Sequence, residues 1–292
     1  MYDMTGSIVT YNTEREDLKK VIGSFLNTDL NIKLWISDNS PSEKIKNEIK
    51  ELIQEIEEEY NIKNINDKIE YIFNNSNRGY GAGHNSVIEK FGNEMSKYHL
   101  ILNPDIYFEI GTLEKLFKYM EEHPKIGQIM PKVKYPNGEI QYLCKLIPTP
   151  LNLIFRRFFP LKKIKEKMDY DYEMKWSGYD KIMEVPILSG CFMFFRTEKL
   201  VSLKGFDERF FMYLEDYDLS RRMNEISETV YYPYAEIVHN HAKESYKSPK
   251  MTKIHIKSAI KYFNKWGWVF DKKRRETNKK IKENFIKSEK TR

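Results

Sequence analysis

Short apolar strands alternate with amphipathic helical segments in the first third of the chain, and this alternation constrains the fold more than any other feature. Residues 6–12 are β-rich and end in polar side chains, and residues 14–26 follow with apolar side chains at helical intervals. Residues 32–38 and 69–73 are further strands separated by a charged helical segment. Strands separated by helices pair in parallel through right-handed crossovers, and such sheets bind ligands at the carboxyl ends of their strands. The pattern predicts an α/β protein with a mostly parallel central sheet flanked by helices.

The pattern changes after Ile126, where shorter segments around a Pro-Asn-Gly turn predict partly antiparallel strands. Residues 148–181 are irregular and rich in Tyr, Lys, Phe and Pro, which indicates an insertion. We assign residues 1–246 to one large domain and residues 247–292 to a basic, amphipathic helical extension.

The extension carries most of the positive charge. The whole chain has a formal net charge of +6, whereas residues 247–292 contain 16 Lys and Arg against 4 Asp and Glu. The first 246 residues are therefore mildly acidic, with a net charge of −6. A segment this basic is attracted to polyanions, either anionic lipid headgroups or nucleic acid.

The sequence contains neither a membrane-spanning pattern nor a secretory pattern. It has no run of about eighteen apolar residues, and its first residues lack the basic, then apolar order of a signal peptide. We therefore expect a cytoplasmic protein. The two cysteines, Cys144 and Cys191, match no metal or redox spacing, so we expect reduced packing residues.

Polar residues follow the first two strands. Asp38 and Asn39 end the second strand and offer a carboxylate and an amide to the edge of a nucleobase. Thr10 and Asn12 stand at the end of the neighbouring first strand. The Asp-Asn-Ser-Pro sequence is also ordinary turn chemistry, so the residues alone leave both interpretations open.

A glycine-rich loop, residues 77–85, follows the third strand. Its three glycines would let backbone amides approach a ligand, and Arg78 can meet phosphate charge. The loop is not a dinucleotide fingerprint, because such a fingerprint follows the first strand, and no phosphate-loop Gly-Lys-Ser/Thr occurs. A plain turn is the alternative.

Asp105 follows the fourth strand directly after Asn103 and a proline. One carboxylate suits Mg²⁺ or Mn²⁺, since these ions usually keep waters and bind substrate phosphates as further ligands. The alternative is a helix cap for the segment that begins at Gly111. His239 and His241 end a later strand and face opposite sides of it, so at most one is expected to join a given site.

Residues 205–219 set several carboxylates among aromatic and apolar side chains, where an isolated charge is costly. Such acids are candidates for acid/base work. Asp218 precedes two arginines at helical spacing and is interpreted as a salt-bridge residue. Near a helix N-terminus, Asp216 would be ionised and able to accept a proton from a hydroxyl, although a simple first-turn acid is the alternative. Glu215 is a candidate for binding acceptor hydroxyls.

In their order along the chain, these motifs resemble those of an inverting glycosyltransferase of family 2 with the GT-A fold, especially its bacterial rhamnosyltransferase-like branch. The matching motifs are residues 9–12, 37–40, 74–85, 103–105, 190, 205–208, 215–219 and 239–245. Each motif is weak alone, but their shared order is specific. The resemblance implies a Rossmann-like, mostly parallel sheet with a C-terminal helical extension.

The resemblance implies a role for each matched residue. The nucleoside of a nucleotide sugar would be held by Thr10, Asn12, Asp38, Arg78 and Asn85, and the donor site would also include Tyr11, Asn39, Gly83 and Asn103. Asp105 would hold a divalent metal, Mg²⁺ or Mn²⁺, on the donor diphosphate. Because Asn103 replaces an acid that the family often has, His239 or His241 is implied as a further metal ligand. Asp216 would be the general base, assisted by Glu215.

The implied activity is that of a metal-dependent hexosyltransferase using dTDP-rhamnose or a UDP-sugar. Its acceptor would be a saccharide or a lipid-linked molecule in cell-surface polysaccharide synthesis, with residues 148–181 facing that acceptor. A polyanion-binding protein with an inactive α/β body and a nucleotidyltransferase are the alternatives. Carboxylates such as those of Asp105 and Asp216 do not contribute to binding a polyanion, so no nucleic-acid partner is expected. The oligomeric state is not predicted.

Residues 254–270 combine apolar and aromatic side chains with lysines, as a helix at a membrane interface does. Such a helix would hold the protein on the inner face of the cell membrane, near a lipid-linked acceptor. The alternative is that these aromatic residues pack on the catalytic domain and the lysines are merely solvated.

Overall fold

The structure is a computed structural model that describes residues 2–92, 94–155, 162–240 and 248–290. Within these residues nine strands form one sheet. The strands are β1 (Met4–Thr10), β2 (Ile32–Asp38), β3 (Ile69–Phe73), β4 (Tyr98–Leu102), β5 (Ile106–Tyr107), β6 (Ile126–Lys134), β7 (Met183–Glu184), β8 (Phe192–Arg196) and β9 (Glu228–His239). The helices are α1 (Arg15–Leu26), α2 (Lys44–Tyr60), α3 (Ile65–Lys68), α4 (Tyr80–Phe91), α5 (Thr112–Glu122), α6 (Lys162–Tyr172), α7 (Thr197–Ser202), α8 (Glu215–Ile226), α9 (Pro249–Trp266) and α10 (Lys272–Lys290).

The strands are ordered β3-β2-β1-β4-β8-β6-β9-β5 across the sheet, and β7 pairs with β9. The first four strands are mutually parallel. β8 is antiparallel to both of its neighbours, β4 and β6, while β6 runs parallel to β9. The predicted α/β class with a mostly parallel, helix-flanked sheet is therefore confirmed.

Helices α1 and α4 cover opposite faces of β1. A Cβ atom on Gly6 would lie 2.5 Å from the Phe25 ring of α1, and a Cβ atom on Gly83 of α4 would lie 2.7 Å from Val9. Positions 6 and 9 of a strand point to opposite faces of a sheet, so the sheet is sandwiched between helices. Burial on both faces explains why β1 and β4 are buried along their whole length.

Helices α9 and α10 pack against the sheet domain. Tyr262 and Phe263 of α9 and Ile281 of α10 are buried in the main core. Asn278 of α10 exchanges two hydrogen bonds with the backbone of Ile147, each 2.9 Å long. No helix among the described residues is long and apolar enough to cross a bilayer.

The predicted boundary between residues 246 and 247 falls among residues 241–247, outside the described part of the chain, so the two-part division stays a prediction. The predicted insertion, residues 148–181, includes a π-helical turn (Leu151–Phe155), α6 and a short 3₁₀ turn (Lys175–Ser177).

Candidate active site

Three strand ends meet at one edge of the sheet. Thr10 lies opposite Asp38 in the pairing of β1 with β2, and Asn103 directly follows β4, the other neighbour of β1. The buried Asp38 carboxylate accepts hydrogen bonds from the Thr10 hydroxyl (2.9 Å), the Tyr71 hydroxyl (2.6 Å) and the Ser40 N–H (2.9 Å). These bonds hold the carboxylate in one orientation at the end of β2.

The residues beside Asp38 differ in their exposure. The Tyr11 side chain is 53% exposed, so its ring is available to a ligand, and Asn12 has a left-handed backbone with a φ of 47°. Asn39 is buried, and its amide bonds to the Gly79 carbonyl (3.1 Å) and to the Asn74 amide (2.8 Å). Asn39 therefore joins the second strand end to the glycine-rich loop.

The glycine-rich loop leads into α4. Gly79 has a φ of 103°, and a Cβ atom there would lie 1.9 Å from the Phe211 carbonyl oxygen, so only glycine fits. The side chain of Asn85 is buried, accepts a hydrogen bond from the Phe206 N–H (2.8 Å) and donates to the Phe206 carbonyl (2.9 Å). Gly83 allows α4 to approach β1. The loop is thus fastened to the chain segment that precedes α8.

Arg78 stands at the outer end of this loop. Its side chain is 58% exposed and forms an ion pair with Glu208. Exposed ion pairs contribute little to stability, so the guanidinium can exchange this partner for a phosphate at low cost.

Asp105 and His239 lie together where β5 pairs with β9. Ile106 is the register partner of His239, and Asp105 Oδ2 lies 3.4 Å from His239 Nε2. Gln141 Nε2 donates to the carbonyl oxygens of His239 (2.7 Å) and Lys134 (3.2 Å), which leaves Gln141 Oε1 facing His239 Nδ1 at 3.0 Å. Because an amide oxygen only accepts, Nδ1 carries a proton and Nε2 is directed to Asp105.

The Asp105–His239 pair fits a divalent cation. Burial lowers the pKa of His239, but Cys191 and Asp105 outweigh it and raise the pKa to about 10. At neutral pH a proton therefore lies between the two side chains, where a cation would replace it. Within the described residues no three His, Cys, Asp or Glu side chains are grouped to hold a metal ion. Mg²⁺ and Mn²⁺ accept such a sparse set, because water and a diphosphate supply their other ligands.

Two predictions made from the sequence concern the Asp105–His239 pair. His241, the other candidate ligand, lies outside the described residues. The helix-cap alternative for Asp105 finds no support, because the N-cap of α5 is Gly111 and no side chain caps it.

Asp216 is held in the first turn of α8 by backbone donors. The Gly190 N–H donates to its Oδ2 (2.8 Å), and the Tyr217 N–H donates to its Oδ1 (3.0 Å). The two residues before α8, Tyr213 and Leu214, have φ values of 66° and 68°. Consecutive non-glycine residues in the left-handed region are strained, and such strain is concentrated at functional sites.

The adjacent acids of α8 differ in their ability to ionise. Burial raises the pKa of Glu215 well above its usual range, and the charge of Asp216 raises it further. Burial also raises the pKa of Asp216, but the N–H groups of Gly190 and Tyr217 oppose that effect. Glu215, only 5% exposed, therefore keeps its proton, and Asp216 is the member of the pair that ionises.

The main chain at Gly190 links the two acidic sites. Its carbonyl accepts a hydrogen bond from the Tyr80 hydroxyl (2.8 Å), and the carbonyl of the next residue accepts from the Asn103 N–H (2.9 Å). Burial raises the pKa of Tyr80, and neighbouring charges, including Asp216 and Asp105, raise it further. Tyr80 therefore bonds to the same residue that orients Asp216, and Asn103, two residues before Asp105, bonds to the next residue of that main-chain segment.

Asp218 is a salt-bridge residue, and this prediction is confirmed. Its Oδ2 lies 2.8 Å from Arg222 Nε, and its Oδ1 lies 2.6 Å from Lys265 Nζ and 2.8 Å from Trp266 Nε1. Both oxygens of this buried side chain are engaged, so it is not available to a substrate.

Sequence reasoning missed three residues near these acids. Tyr80 lies inside the glycine-rich loop. Its position at the start of a helix was the only feature of the sequence that pointed to a role at the site. Gln141 belongs to no motif. Asp17 of α1 is the third: burial raises its pKa and Asp105 raises it further, while a hydrogen bond from Asn240 opposes both effects. Asp17 therefore lies beside the Asp105 corner.

The family model described as glycosyl transferase family 2 matches residues 7–200, which is more than half of the chain. The chain belongs to glycosyl transferase family 2. The family 2 match includes the strand ends, the glycine-rich loop, Asp105 and Gly190, and it stops before the helix that carries Asp216. The resemblance inferred from motif order is confirmed.

Two curated relatives are rhamnosyltransferases. The N-acetylglucosaminyl-diphospho-decaprenol L-rhamnosyltransferase of Mycobacterium tuberculosis is 26% identical over 190 residues, 60% of this chain and 59% of that protein. The rhamnosyltransferase WbbL of Escherichia coli K12 is 28% identical over 196 residues, 63% of this chain and 70% of that protein. The family 2 chain thus spans about six tenths of the length of the mycobacterial relative.

Solved structures of glycosyltransferases share the fold. A mannosyltransferase from Pyrobaculum calidifontis, in complex with GDP-Man and Mn²⁺, has a TM-score of 0.57 at 13% identity, over 89% of this chain and 64% of that chain. GalNAc-T7 with UDP, GalNAc and Mn²⁺ has a TM-score of 0.58 at 13% identity, over 82% of this chain and 43% of that chain. At these identities the likeness establishes the fold, which is GT-A.

Proposed function

We propose that this protein transfers a sugar, rhamnose in the first instance, from a nucleotide diphosphate donor to a saccharide or lipid-linked acceptor with inversion of configuration. The reaction would serve cell-surface polysaccharide synthesis. The observation that carries the proposal is the main chain at residues 190–191, which orients Asp216 through the Gly190 N–H and holds Asn103, two residues before Asp105, through the Cys191 carbonyl. The two rhamnosyltransferase relatives support the choice of sugar and the kind of acceptor.

The donor nucleoside would bind at the ends of β1 and β2. A fixed Asp38 carboxylate and the exposed Tyr11 ring offer a polar edge and an apolar face to a base. Asn12 and the Arg78 guanidinium stand nearby for the ribose and the diphosphate. The buried amides of Asn39 and Asn85 would act indirectly, by holding the strand ends and the glycine-rich loop in place.

The acceptor hydroxyl would lose its proton to Asp216. Two backbone N–H groups orient the Asp216 carboxylate, and the buried, protonated Glu215 beside it leaves Asp216 as the only ionised acid of the pair. Deprotonation in place makes the oxygen a stronger nucleophile for in-line attack on the anomeric carbon, which inverts the configuration.

Asp105 and His239 would hold a divalent metal, Mg²⁺ or Mn²⁺, with Gln141 fixing the ring of His239. When bound, the metal supplies positive charge that stabilises the departing nucleoside diphosphate. Asp105 and His239 place that charge beside Asn103, at the end of β4.

The test is turnover of dTDP-rhamnose and of UDP-sugars, comparing the wild type with Asp216→Asn in the presence of Mn²⁺ or EDTA. The substitution is close to isosteric, and we expect turnover to fall by about 10²–10⁴-fold, with a slightly lower melting temperature because an amide can accept from only one of the two backbone N–H groups. Asp67→Asn, in exposed α3, is the matched control and should behave as wild type.

Product analysis separates the alternatives. A glycosyltransferase releases a nucleoside diphosphate, and NMR of the product should give an inverted anomeric centre. Release of pyrophosphate would indicate a nucleotidyltransferase, and turnover by Asp216→Asn at the wild-type rate would remove the proposed base.

A further inference from the structure

The turn between α9 and α10 presents apolar side chains to solvent. Trp268 is 38% exposed, Val269 68% and Phe270 89%. Phe270 has the largest exposure of the large hydrophobic residues in the described part of the chain. Apolar side chains exposed together rather than singly indicate an interaction surface.

The backbone of this turn is held rigidly. The buried Arg274 guanidinium donates to the carbonyl oxygens of Val269 (3.1 Å) and Pro148 (3.3 Å). Asp271 Oδ1 accepts from the Arg274 N–H (2.9 Å), and Trp268 Nε1 donates to the Asn264 side chain. Because these bonds fix the main chain, the Val269 and Phe270 side chains cannot withdraw into the core by a small shift.

Basic residues surround the apolar tip. Lys272 and Lys273 follow Phe270 after the buried Asp271, with side chains 84% and 67% exposed, and Arg275 is also exposed. Helix α10 as a whole contains nine Lys and Arg against three Asp and Glu. The two lysines form ion pairs with Glu276 and Glu225, but exposed pairs of this kind are weak and can be exchanged for other anions.

We propose that the 268–270 tip inserts into the headgroup region of an anionic lipid bilayer, with Lys272, Lys273 and Arg275 on the lipid phosphates. Aromatic and aliphatic residues flanked by lysine and arginine are the composition that binds at this depth. The charge complementarity selects a bilayer over an apolar protein surface, because basic side chains beside an apolar tip are attracted to the phosphates of an anionic membrane.

The tip is coupled to the candidate active site. Asp271 forms an ion pair with Arg221 of α8 through one hydrogen bond and one further charge contact, and Trp266, two residues before the tip, donates to Asp218 of the same helix. Contact of the tip with the bilayer would therefore fix the distance between the membrane surface and α8, the helix that carries Asp216. This part of the inference rests on the proposed function, since it gives the tip the task of bringing the site to a lipid-linked acceptor.

The experiment measures co-sedimentation of the full chain with vesicles of phosphatidylcholine and phosphatidylglycerol, and with vesicles of phosphatidylcholine alone. The variant is Val269→Ser/Phe270→Ser. Its matched control is Ile110→Ser/Tyr234→Ser, which removes one aliphatic and one aromatic side chain that are 59% and 57% exposed elsewhere. We expect the tip variant to bind anionic vesicles at least about tenfold more weakly, while the control binds as wild type.

Three results would overturn the proposal. The first is wild-type affinity of the tip variant for anionic vesicles. The second is a wild-type dimer, detected by sedimentation velocity without lipid, that the tip variant converts to monomer, since the tip would then be a contact between copies. The third is a Phe270→Trp variant whose added fluorescence is not quenched by brominated lipids.

Donor turnover with a short water-soluble acceptor keeps this inference distinct from the proposed function. The tip variant should retain that turnover and lose only vesicle binding. Vesicle binding by a wild-type protein that turns over no nucleotide sugar would defeat the proposed function and leave the docking surface standing.

Discussion

Gly190 has no side chain and therefore leaves room for Asp216, the candidate base, in its present position. A Cβ atom at this position would lie 2.9 Å from Asp216 Cβ, closer than real Cβ contacts, so Asp216 would have to move. A misplacement near 1 Å costs roughly 10²-fold in rate. We therefore expect Gly190→Ala to lower kcat by about that factor, measured with the best donor.

The control for this prediction is Gly138→Ala, in a turn where an added Cβ meets nothing within 4 Å but φ is +85°. This variant should lose a little stability through backbone strain and keep its kcat. Equal effects of the two substitutions on kcat would show that Asp216 is not positioned through Gly190.

The side chain of Gln141 orients His239, so its substitution is the second test at a single residue. Gln141→Leu removes the acceptor that orients His239, so affinity for Mn²⁺ should fall about 10–100-fold. Gln141→Glu keeps an acceptor for His239 Nδ1 but sets an oxygen against the carbonyl oxygens of His239 and Lys134, so it should recover only part of the lost affinity. Electron paramagnetic resonance of free Mn²⁺, in the presence of UDP or dTDP, measures both affinities without relying on turnover. Wild-type Mn²⁺ affinity in Gln141→Leu would contradict the assigned role.

The sequence could reveal some of these residues and not others. Asp38 and Asp105 follow apolar strands, and parallel strands bring their carboxyl ends together, so local patterns were sufficient to group them. Gln141 reaches His239 across 98 positions from a segment without regular structure. No periodicity or motif marks such a pairing, because it depends on how β6 and β9 lie in the sheet.

Two acids, the buried Asp218 of α8 and the partly buried Asp207 that precedes it, join α8 to α9. Asp207 Oδ2 lies 2.8 Å from Lys265 Nζ, which also contacts Asp218 of α8. A hydrogen bond from Arg209 lowers the pKa of Asp207; burial opposes this, and the bond from Lys265 lowers the pKa further. The acid therefore stays ionised in the folded protein at pH values where it is protonated in the unfolded chain.

This shift gives a pH dependence with a definite sign. A depressed folded pKa stabilises the protein fully above the unfolded value, roughly 3.9, and the contribution is lost progressively as pH falls from there through the folded pKa. Asp207→Asn should cost about 1–2 kcal/mol of unfolding free energy at pH 7 and a smaller amount at pH 3, where the loss has begun but is not complete. Urea unfolding at both pH values measures the difference, and a cost that grows on acidification would contradict the assignment.

Elements also differ in how well they could be predicted. The third strand was predicted over the residues that form β3, and Asp216 was predicted to lie near a helix N-terminus, as it does in α8. β5 and β7 were missed because each has two residues, too few for an alternating pattern to appear. The pairing of β5 with β9 is what places Asp105 beside His239.

At the scale of the whole molecule, the basic extension is part of the folded core. Tyr262, Phe263 and Ile281 are buried in it, whereas the apolar tip and most lysines of α10 remain exposed. Packing on the sheet domain is therefore confirmed for the buried residues, and interfacial binding stays a proposal for the exposed tip. Charge counting could not separate them, because it treats buried Arg274 and exposed Lys272 alike.

Substitutions at the Arg221–Asp271 pair test whether the extension, α9 and α10, unfolds together with the sheet domain. Both side chains are at most 4% exposed, and two contacts of 2.8 and 2.9 Å join them. Asp271→Asn keeps an oxygen to cap α10 but leaves a buried guanidinium without its charge partner, which costs about 3–5 kcal/mol. Replacing both partners, in Arg221→Met/Asp271→Asn, should recover much of that loss, since the buried charge is then gone. Chemical denaturation followed by far-ultraviolet circular dichroism should give one transition for every variant. Additive losses, or a separate early transition for the helices, would mean that the extension is an independent unit and that the tip cannot set the position of Asp216.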